Sequence, residues 1–145
     1  MKVLFFLFLL HLIEIASQCR KRGAIIKEDL ENALFVAKFQ VERFGKTVPQ
    51  TSRFDIYYLD YSAFYFSHHD LEYTKRYAPR IISINKLYKC PPLVKGKFYV
   101  IGCRLYKGHT CHFVREFDNI TKTEEKLIRS MGISANYNYL AWHAY

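Results

Sequence analysis

The strongest helical pattern in this 145-residue sequence runs from Ile26 to Gly45. Glu28 and Asp29 lie in the first turn, where the helix dipole favours acidic side chains, and Gly45 suits the residue that ends a helix. The apolar residues recur three or four positions apart, as in an amphipathic helix: Leu30, Ala33, Leu34, Ala37, Val41 and Phe44. The rest of the chain is mostly aromatic and β-branched. We therefore expect an α+β fold in which one long helix packs on a four- to five-stranded, mainly antiparallel sheet.

Residues 1–17 have the features of a secretory signal peptide. Lys2 provides a positive start, an apolar run follows, and Ala16 and Ser17 are small enough for a signal peptidase site. The run is too short to span a bilayer comfortably. We predict a secreted protein without membrane insertion, with residues 18–145 forming a single domain.

The net charge is +9, and it stays +9 when residues 1–17 are removed. A basic excess of this size favours anionic partners such as nucleic acid or a membrane surface. Apart from Arg20, Lys21 and Arg22, however, the basic residues are scattered along the chain. RNA binding is therefore one candidate function, and binding to a phospholipid surface is a more distant one.

All four cysteines lie after the signal segment, which favours two disulfides and allows three pairings. Cys103 and Cys111 flank a predicted hairpin turn at Lys107-Gly108, which favours a bond between them. That bond would leave Cys19 to pair with Cys90. The cysteine spacing is irregular for zinc, and we expect no metal and no cofactor.

The remaining segments divide into candidate strands and loops by their hydrophobic pattern. We expect loops at Thr47–Ser52 and at the polar His68–Pro79 segment. Phe54–Phe66 is expected to form one strand or a hairpin. The other candidate strands are Arg80–Cys90, Gly96–Tyr106, His109–Phe117, Glu124–Ile133 and Asn136–Trp142. Asn119-Ile120-Thr121 is a glycosylation sequon, so Asn119 is a candidate glycosylation site on an exposed loop.

The histidines are the residues best suited to general acid–base chemistry, for example on RNA with a carboxylate partner. They are His68 and His69 in the polar segment and His109 and His112 near the hairpin. No phosphate loop, HExxH helix or nucleophile elbow accompanies them. The many tyrosines and phenylalanines are suited to stacking bases on an exposed sheet face or to filling a core.

Four segments resemble the ribonuclease-like secreted effectors of powdery mildew fungi and the small fungal guanyl-specific ribonucleases. Cys19, followed by Ile25, Leu30 and Ala33, is similar to the effectors' opening cysteine and helix. The three segments similar to ribonuclease strands are Tyr88-Lys89-Cys90-Pro91, His112–Glu116 and Leu127–Gly132. The resemblance implies a ribonuclease-like fold and a role as a virulence effector that acts on a host.

The same resemblance implies that ribonuclease catalysis is absent. The positions of the general-base glutamate, the phosphate-binding arginine and the general-acid histidine fall on Lys89, His112 and Ser130. A protonated lysine cannot accept the 2′-hydroxyl proton, and serine cannot replace an imidazolium acid. We expect a monomeric, non-catalytic protein that binds host RNA or a host protein.

Two alternatives remain open at the level of sequence. The first is an active ribonuclease that uses His68, His69 or His112. The second is a cystatin-like protease inhibitor, which also packs one helix against an antiparallel sheet. The Gln-x-Val-x-Gly wedge of cystatins does not occur in the expected hairpin.

Overall fold

The computed structural model describes residues 22–45, 53–104 and 111–134. Two short 3-10 turns, Lys86–Tyr88 and Phe117–Asn119, connect regular elements. The helices are α1 (Lys27–Asn32), α2 (Leu71–Tyr77) and α3 (Lys122–Ser134). The strands are β1 (Phe35–Phe44), β2 (Phe54–Ser67), β3 (Ile81–Asn85), β4 (Phe98–Cys103) and β5 (Cys111–Glu116).

The five strands form one antiparallel sheet in the order β3-β2-β1-β4-β5. The central strand β1 pairs with β2 and β4, and its pairing with β2 shifts register in three places. The two edge strands contribute to one cleft, which is lined by Ile82, Ser83 and Ile84 of β3 and by Cys111 and Val114 of β5. The sheet is therefore curled, with its edges turned toward each other.

The curl separates two apolar cores. The inner core lies on the concave face, where Phe39 stacks on Tyr99 with 5.6 Å between the ring centroids, and Ala78 and Leu93 are buried against it. The outer core lies on the convex face, where Val36, Val100 and Phe113 pack with Leu30 of α1 and Ile128 of α3. The α+β class and the antiparallel sheet are thus confirmed.

The predicted long helix from Ile26 to Gly45 is wrong. Only Lys27–Asn32 is helical, and the chain continues as β1. A spacing of four residues fits a helical turn and also two strand periods, so Ala37 and Val41 satisfy both patterns. Phe35 and Phe39 are fully buried in the same core as Ala37, and this period of two is the one the fold uses.

Two predicted non-helical segments are helices. His68–Pro79 contains α2, which begins after Asp70, whose Oδ2 accepts hydrogen bonds from the amides of Glu72 (3.0 Å) and Tyr73 (3.1 Å). Glu124–Ile133, predicted as a strand, lies within α3. Its Leu127, Ile128 and Met131 have helical spacing and pack in the outer core.

The hairpin β4–β5 is confirmed, together with the Cys103–Cys111 disulfide that joins its strands. The strand predicted at Phe54–Phe66 is β2, whereas Arg80–Cys90 is a strand only over Ile81–Asn85. Cys90 is disulfide-bonded, and Cys19, its predicted partner, lies outside the described residues. So do the signal segment, the turn at Lys107-Gly108, His109 and the candidate strand Asn136–Trp142.

Candidate functional site

The three positions matched to ribonuclease catalytic residues lie on three different elements. Lys89 follows the turn Lys86–Tyr88 in a left-handed conformation (φ 47°) and is exposed. His112 is half-buried in β5. Ser130 is exposed on α3, where its hydroxyl donates to the carbonyl of Leu127 at 2.7 Å. Of the three segments matched to ribonuclease strands, only His112–Glu116 is a strand, so the alignment places Lys89 and Ser130 in unlike structures.

The other histidines also fall in separate environments. His68 is exposed, and its ring lies 5.8 Å from that of Phe66. His69 is half-buried beside Tyr73. Within residues 22–45, 53–104 and 111–134, no group of three His, Cys, Asp or Glu side chains is placed to hold a metal ion.

Large apolar side chains are exposed at one end of the sheet. The antiparallel pairing brings together the end of β1, the start of β2 and the end of β3, with Phe54 opposite Asn85. The segment that leads into β4 reaches the same end, where the Val94 amide donates to the Tyr99 hydroxyl at 2.9 Å. We call this region the end surface and define it by Phe44, Phe54, Leu87, Tyr88 and Val94, all exposed.

The end surface is held in place by hydrogen bonds to the main chain. The Asn85 side chain accepts from the Leu87 amide at 2.9 Å, and the Lys86 amide donates to the carbonyl of Arg53 at 2.8 Å. The Leu93 amide donates to the Tyr57 hydroxyl at 3.3 Å. Burial raises the pKa of Tyr57, although this backbone hydrogen bond opposes the shift. The exposed apolar side chains are therefore carried by ordered turns.

Lysines surround the end surface. Lys86 pairs with Asp55 at 3.6 Å, and Lys97 pairs with Glu116 at 2.7 Å. Lys89 and Lys95 are exposed and make no ion pair within the described part of the chain. The end surface therefore combines apolar side chains with two lysines that form no ion pair in the described part of the chain.

A second ordered feature lies where β5 leads into α3. The buried Glu124 carboxylate accepts from the amides of Ile25 (2.8 Å) and Thr121 (2.7 Å), and its Oε1 lies 3.1 Å from Nε of Arg115. Burial alone would raise the pKa of Glu124. The hydrogen bonds from Thr121 and Ile25 and the charge of Arg115 outweigh burial and hold the pKa below its usual range.

Sequence reasoning did not find the end surface. The sequence pattern predicts a strand at Leu87 and Tyr88, in which one of the two would point inward, whereas the structure places both in an exposed turn. The signal available was Asn85, because asparagine commonly accepts hydrogen bonds from amides two residues further on. The placement of Phe44 and Val94 at the same end of the sheet had no local signal.

The fold defines a class of small α+β protein with a curled antiparallel sheet and helices against its convex face. Residues 17–129 match the model of a family described as Excretory-secretory protein 2, AceES-2. That match covers more than half of the chain, and the chain belongs to this family.

A solved structure shares the fold. The crystal structure of Ancylostoma ceylanicum excretory-secretory protein 2 aligns with a TM-score of 0.50 and 24% identity, and the alignment covers 73% of this chain and 88% of that chain. No curated protein matches the sequence. Neither the family nor the solved structure concerns powdery mildew effectors or ribonucleases, so that resemblance remains a prediction.

Membership in an excretory-secretory family agrees with the secreted location predicted from residues 1–17. No helix in the described residues is long and apolar enough to cross a membrane.

Proposed function

We propose that this protein is a secreted, non-catalytic binding protein that recognises a partner protein through the end surface. The observation that carries the proposal is the exposure of five large apolar side chains at one end of the sheet. In line with the effector resemblance, we propose that the partner belongs to a host.

Contact with another protein accounts for exposed apolar side chains on ordered backbone. Contiguous apolar patches on soluble proteins commonly mark interaction sites, and aromatic anchors contribute much of the energy at such sites. Leu87 is the most exposed of the five, with 71% of its surface accessible. Because its turn is already fixed by the Asn85 hydrogen bond, little backbone entropy is lost on binding.

The surrounding charge favours an acidic partner. Lys89 and Lys95 add two exposed positive charges that form no ion pair in the described part of the chain. Complementary charge speeds encounter and selects among partners. Two of the five residues, Val94 and the most exposed one, Leu87, are aliphatic and cannot stack on bases, which favours a protein carrying an acidic, apolar segment over RNA.

The proposal that catalysis is absent is supported by the chemistry of the matched positions. Lys89 cannot act as the carboxylate base that the ribonuclease mechanism needs, and Ser130 cannot act as its acid. In addition, Ser130 lies on the helix α3, which packs on the convex face. A ribonuclease of this type carries its general base and general acid on strands.

The test is a selection of peptides from a random displayed library on the purified secreted protein. We expect the selected peptides to be rich in Asp and Glu around an aromatic or aliphatic anchor. Leu87→Ser should weaken binding of such a peptide by about tenfold, which corresponds to about 1.4 kcal/mol. Lys89→Glu should also weaken it, with a smaller effect at high salt.

Ile26→Ser is the matched control, because Ile26 is an exposed aliphatic residue before α1 and is not part of the end surface. It should leave peptide affinity unchanged. An equal loss of peptide affinity in Leu87→Ser and Ile26→Ser would show that the end surface is not the binding site. A selection that yields no acidic, apolar peptides would lead to the same conclusion. Retention of labelled single-stranded RNA that Lys89→Glu abolishes would make RNA the partner, and histidine-dependent cleavage of that RNA would make the protein an enzyme.

A further inference from the structure

We propose that Asn119 carries an N-linked oligosaccharide in the secreted protein. Asn119-Ile120-Thr121 is the only Asn-x-Ser/Thr triplet in the sequence, and a chain that enters the secretory pathway meets the transferase that modifies such triplets. The inference does not depend on the function proposed for the end surface.

The structure leaves the Asn119 side chain available. Asn119 is exposed at the end of the 3-10 turn Phe117–Asn119. Its backbone carbonyl, not its side chain, is used by the fold, accepting from Nη2 of Arg115 at 3.0 Å. An oligosaccharide on the side-chain amide would therefore extend into solvent without breaking the contact that fixes the turn.

Thr121 completes the glycosylation sequon before the chain folds and caps helix α3 afterwards. In the folded chain its hydroxyl accepts from the Glu124 amide at 3.2 Å, and its amide donates to Glu124 Oε2 at 2.7 Å. This reciprocal pair is a capping box at the start of α3. Because the cap occupies the hydroxyl that completes the sequon, we infer that transfer precedes the folding of α3.

The transfer balances with a lipid-linked oligosaccharide diphosphate as the donor. The Asn119 side-chain nitrogen forms a bond to C1 of the first sugar and loses one proton. The bond between C1 and the diphosphate oxygen breaks, and the lipid diphosphate leaves with the bonding electrons. No oxidation or reduction occurs.

The oligosaccharide would border the end surface. The turn Phe117–Asn119 follows Glu116, which lies opposite Tyr99 near the start of β4 and pairs with Lys97. It lies toward the convex face, because Phe117 packs against the outer core. A partner would then approach the end surface from the side of β3 and the turn Lys86–Tyr88.

The experiment expresses the full chain in insect cells and treats the secreted protein with an amidase that removes N-linked glycans. We expect one discrete gain in electrophoretic mobility on treatment and the conversion of Asn119 to aspartate in its peptide. Asn119→Gln should migrate with the treated protein and ignore the enzyme. Thr121→Ser should keep the glycan, because serine also completes the sequon and the cap.

Cell-free translation with microsomes is used for variants that fold poorly. It measures glycan transfer to chains that have entered the microsomes and are protected from added protease, whether or not those chains would be secreted. Thr121→Ala should lose the glycan in both systems, and the purified variant should also have a lower melting temperature. Asn119→Gln should lose only the glycan. A protease-protected wild-type chain without a mobility step, or a step that persists in Asn119→Gln, would overturn the inference.

Discussion

At the scale of single residues, Glu124 joins three parts of the chain. Its carboxylate receives the Ile25 amide from the N-terminal segment, the Thr121 amide at the start of α3, and the charge of Arg115 in β5. Nη2 of Arg115 in turn holds the carbonyl of Asn119. With 3% of its surface exposed, Glu124 stabilises the fold only while it is ionised and these partners are in place.

Glu124→Gln should lower the free energy of unfolding by about 2 kcal/mol at neutral pH, because hydrogen bonds to a charged group contribute more than those to an amide. The pKa of Glu124 is lower in the folded chain than in the unfolded one. Its stabilisation is therefore complete above the unfolded pKa and is lost as the pH falls through the folded pKa. Urea unfolding of both proteins from neutral to acidic pH should show the difference shrinking.

Glu125→Gln is the control for that comparison. Glu125 forms a half-exposed pair with Arg129 one helical turn away, and pairs of this type contribute about 0.5 kcal/mol or less. A difference for Glu124→Gln that is as small as the control, or that does not change with pH, would mean that the carboxylate is not the stabilising form.

At the scale of elements, β1 decides the architecture, because it pairs with strands on both sides and contributes to both cores. Ala37, the third residue of β1, is fully buried in the inner core opposite Ile101. Ala37→Asp would place a carboxylate there without a partner, at a cost of about 3 kcal/mol or more. We expect poor secretion and a large drop in melting temperature.

Ser62→Asp adds the same carboxylate at an exposed position of the neighbouring strand β2. That variant should stay within about 0.5 kcal/mol of the wild type. If Ala37→Asp were as stable as Ser62→Asp, Ala37 would not lie in a buried strand, and the assignment of β1 would fail.

At the scale of the whole molecule, disulfides cross-link the folded chain. Cys103 and Cys111 join β4 to β5, and Cys90 is bonded beside the cleft between the sheet edges. With four cysteines in the chain, we expect two intramolecular disulfides in the secreted monomer. The mass of the unreduced polypeptide, after glycan removal, should then lie four hydrogens below that of the reduced one.

Peptide mapping without reduction should recover a fragment that joins Cys103 to Cys111 and a second that contains Cys90. Alkylation of two thiols in the native secreted protein would contradict this expectation. It would indicate a free pair or a bond between two chains.

Several features follow from local sequence alone, because each depends on residues close together in the chain. The β4–β5 hairpin and its disulfide follow from two cysteines, eight positions apart, that flank the turn signal Lys107-Gly108. Strand β2 follows from its aromatic and β-branched content. The bounds of α2 also have local signals, since Asp70 precedes it and Pro79 follows it, but the polar composition of the segment predicts a loop.

Tertiary structure decided the rest. The spacing of Ala37 and Val41 fits a helix and a strand equally well. Pairing with β2 on one side and β4 on the other selects the strand, because this pairing buries Phe35 and Phe39 and satisfies the hydrogen bonds of the backbone.

The end surface also depends on how distant segments pair. Phe44, Phe54, Leu87 and Val94 come to one end of the sheet from segments far apart in the chain. The sequence alone determined the hairpin, strand β2 and the signal for secretion, since these rest on local patterns. The α+β class was predicted correctly, although most of the one predicted helix is strand β1. Only the folded chain determined which apolar residues stay in contact with water, because that depends on pairing between distant segments.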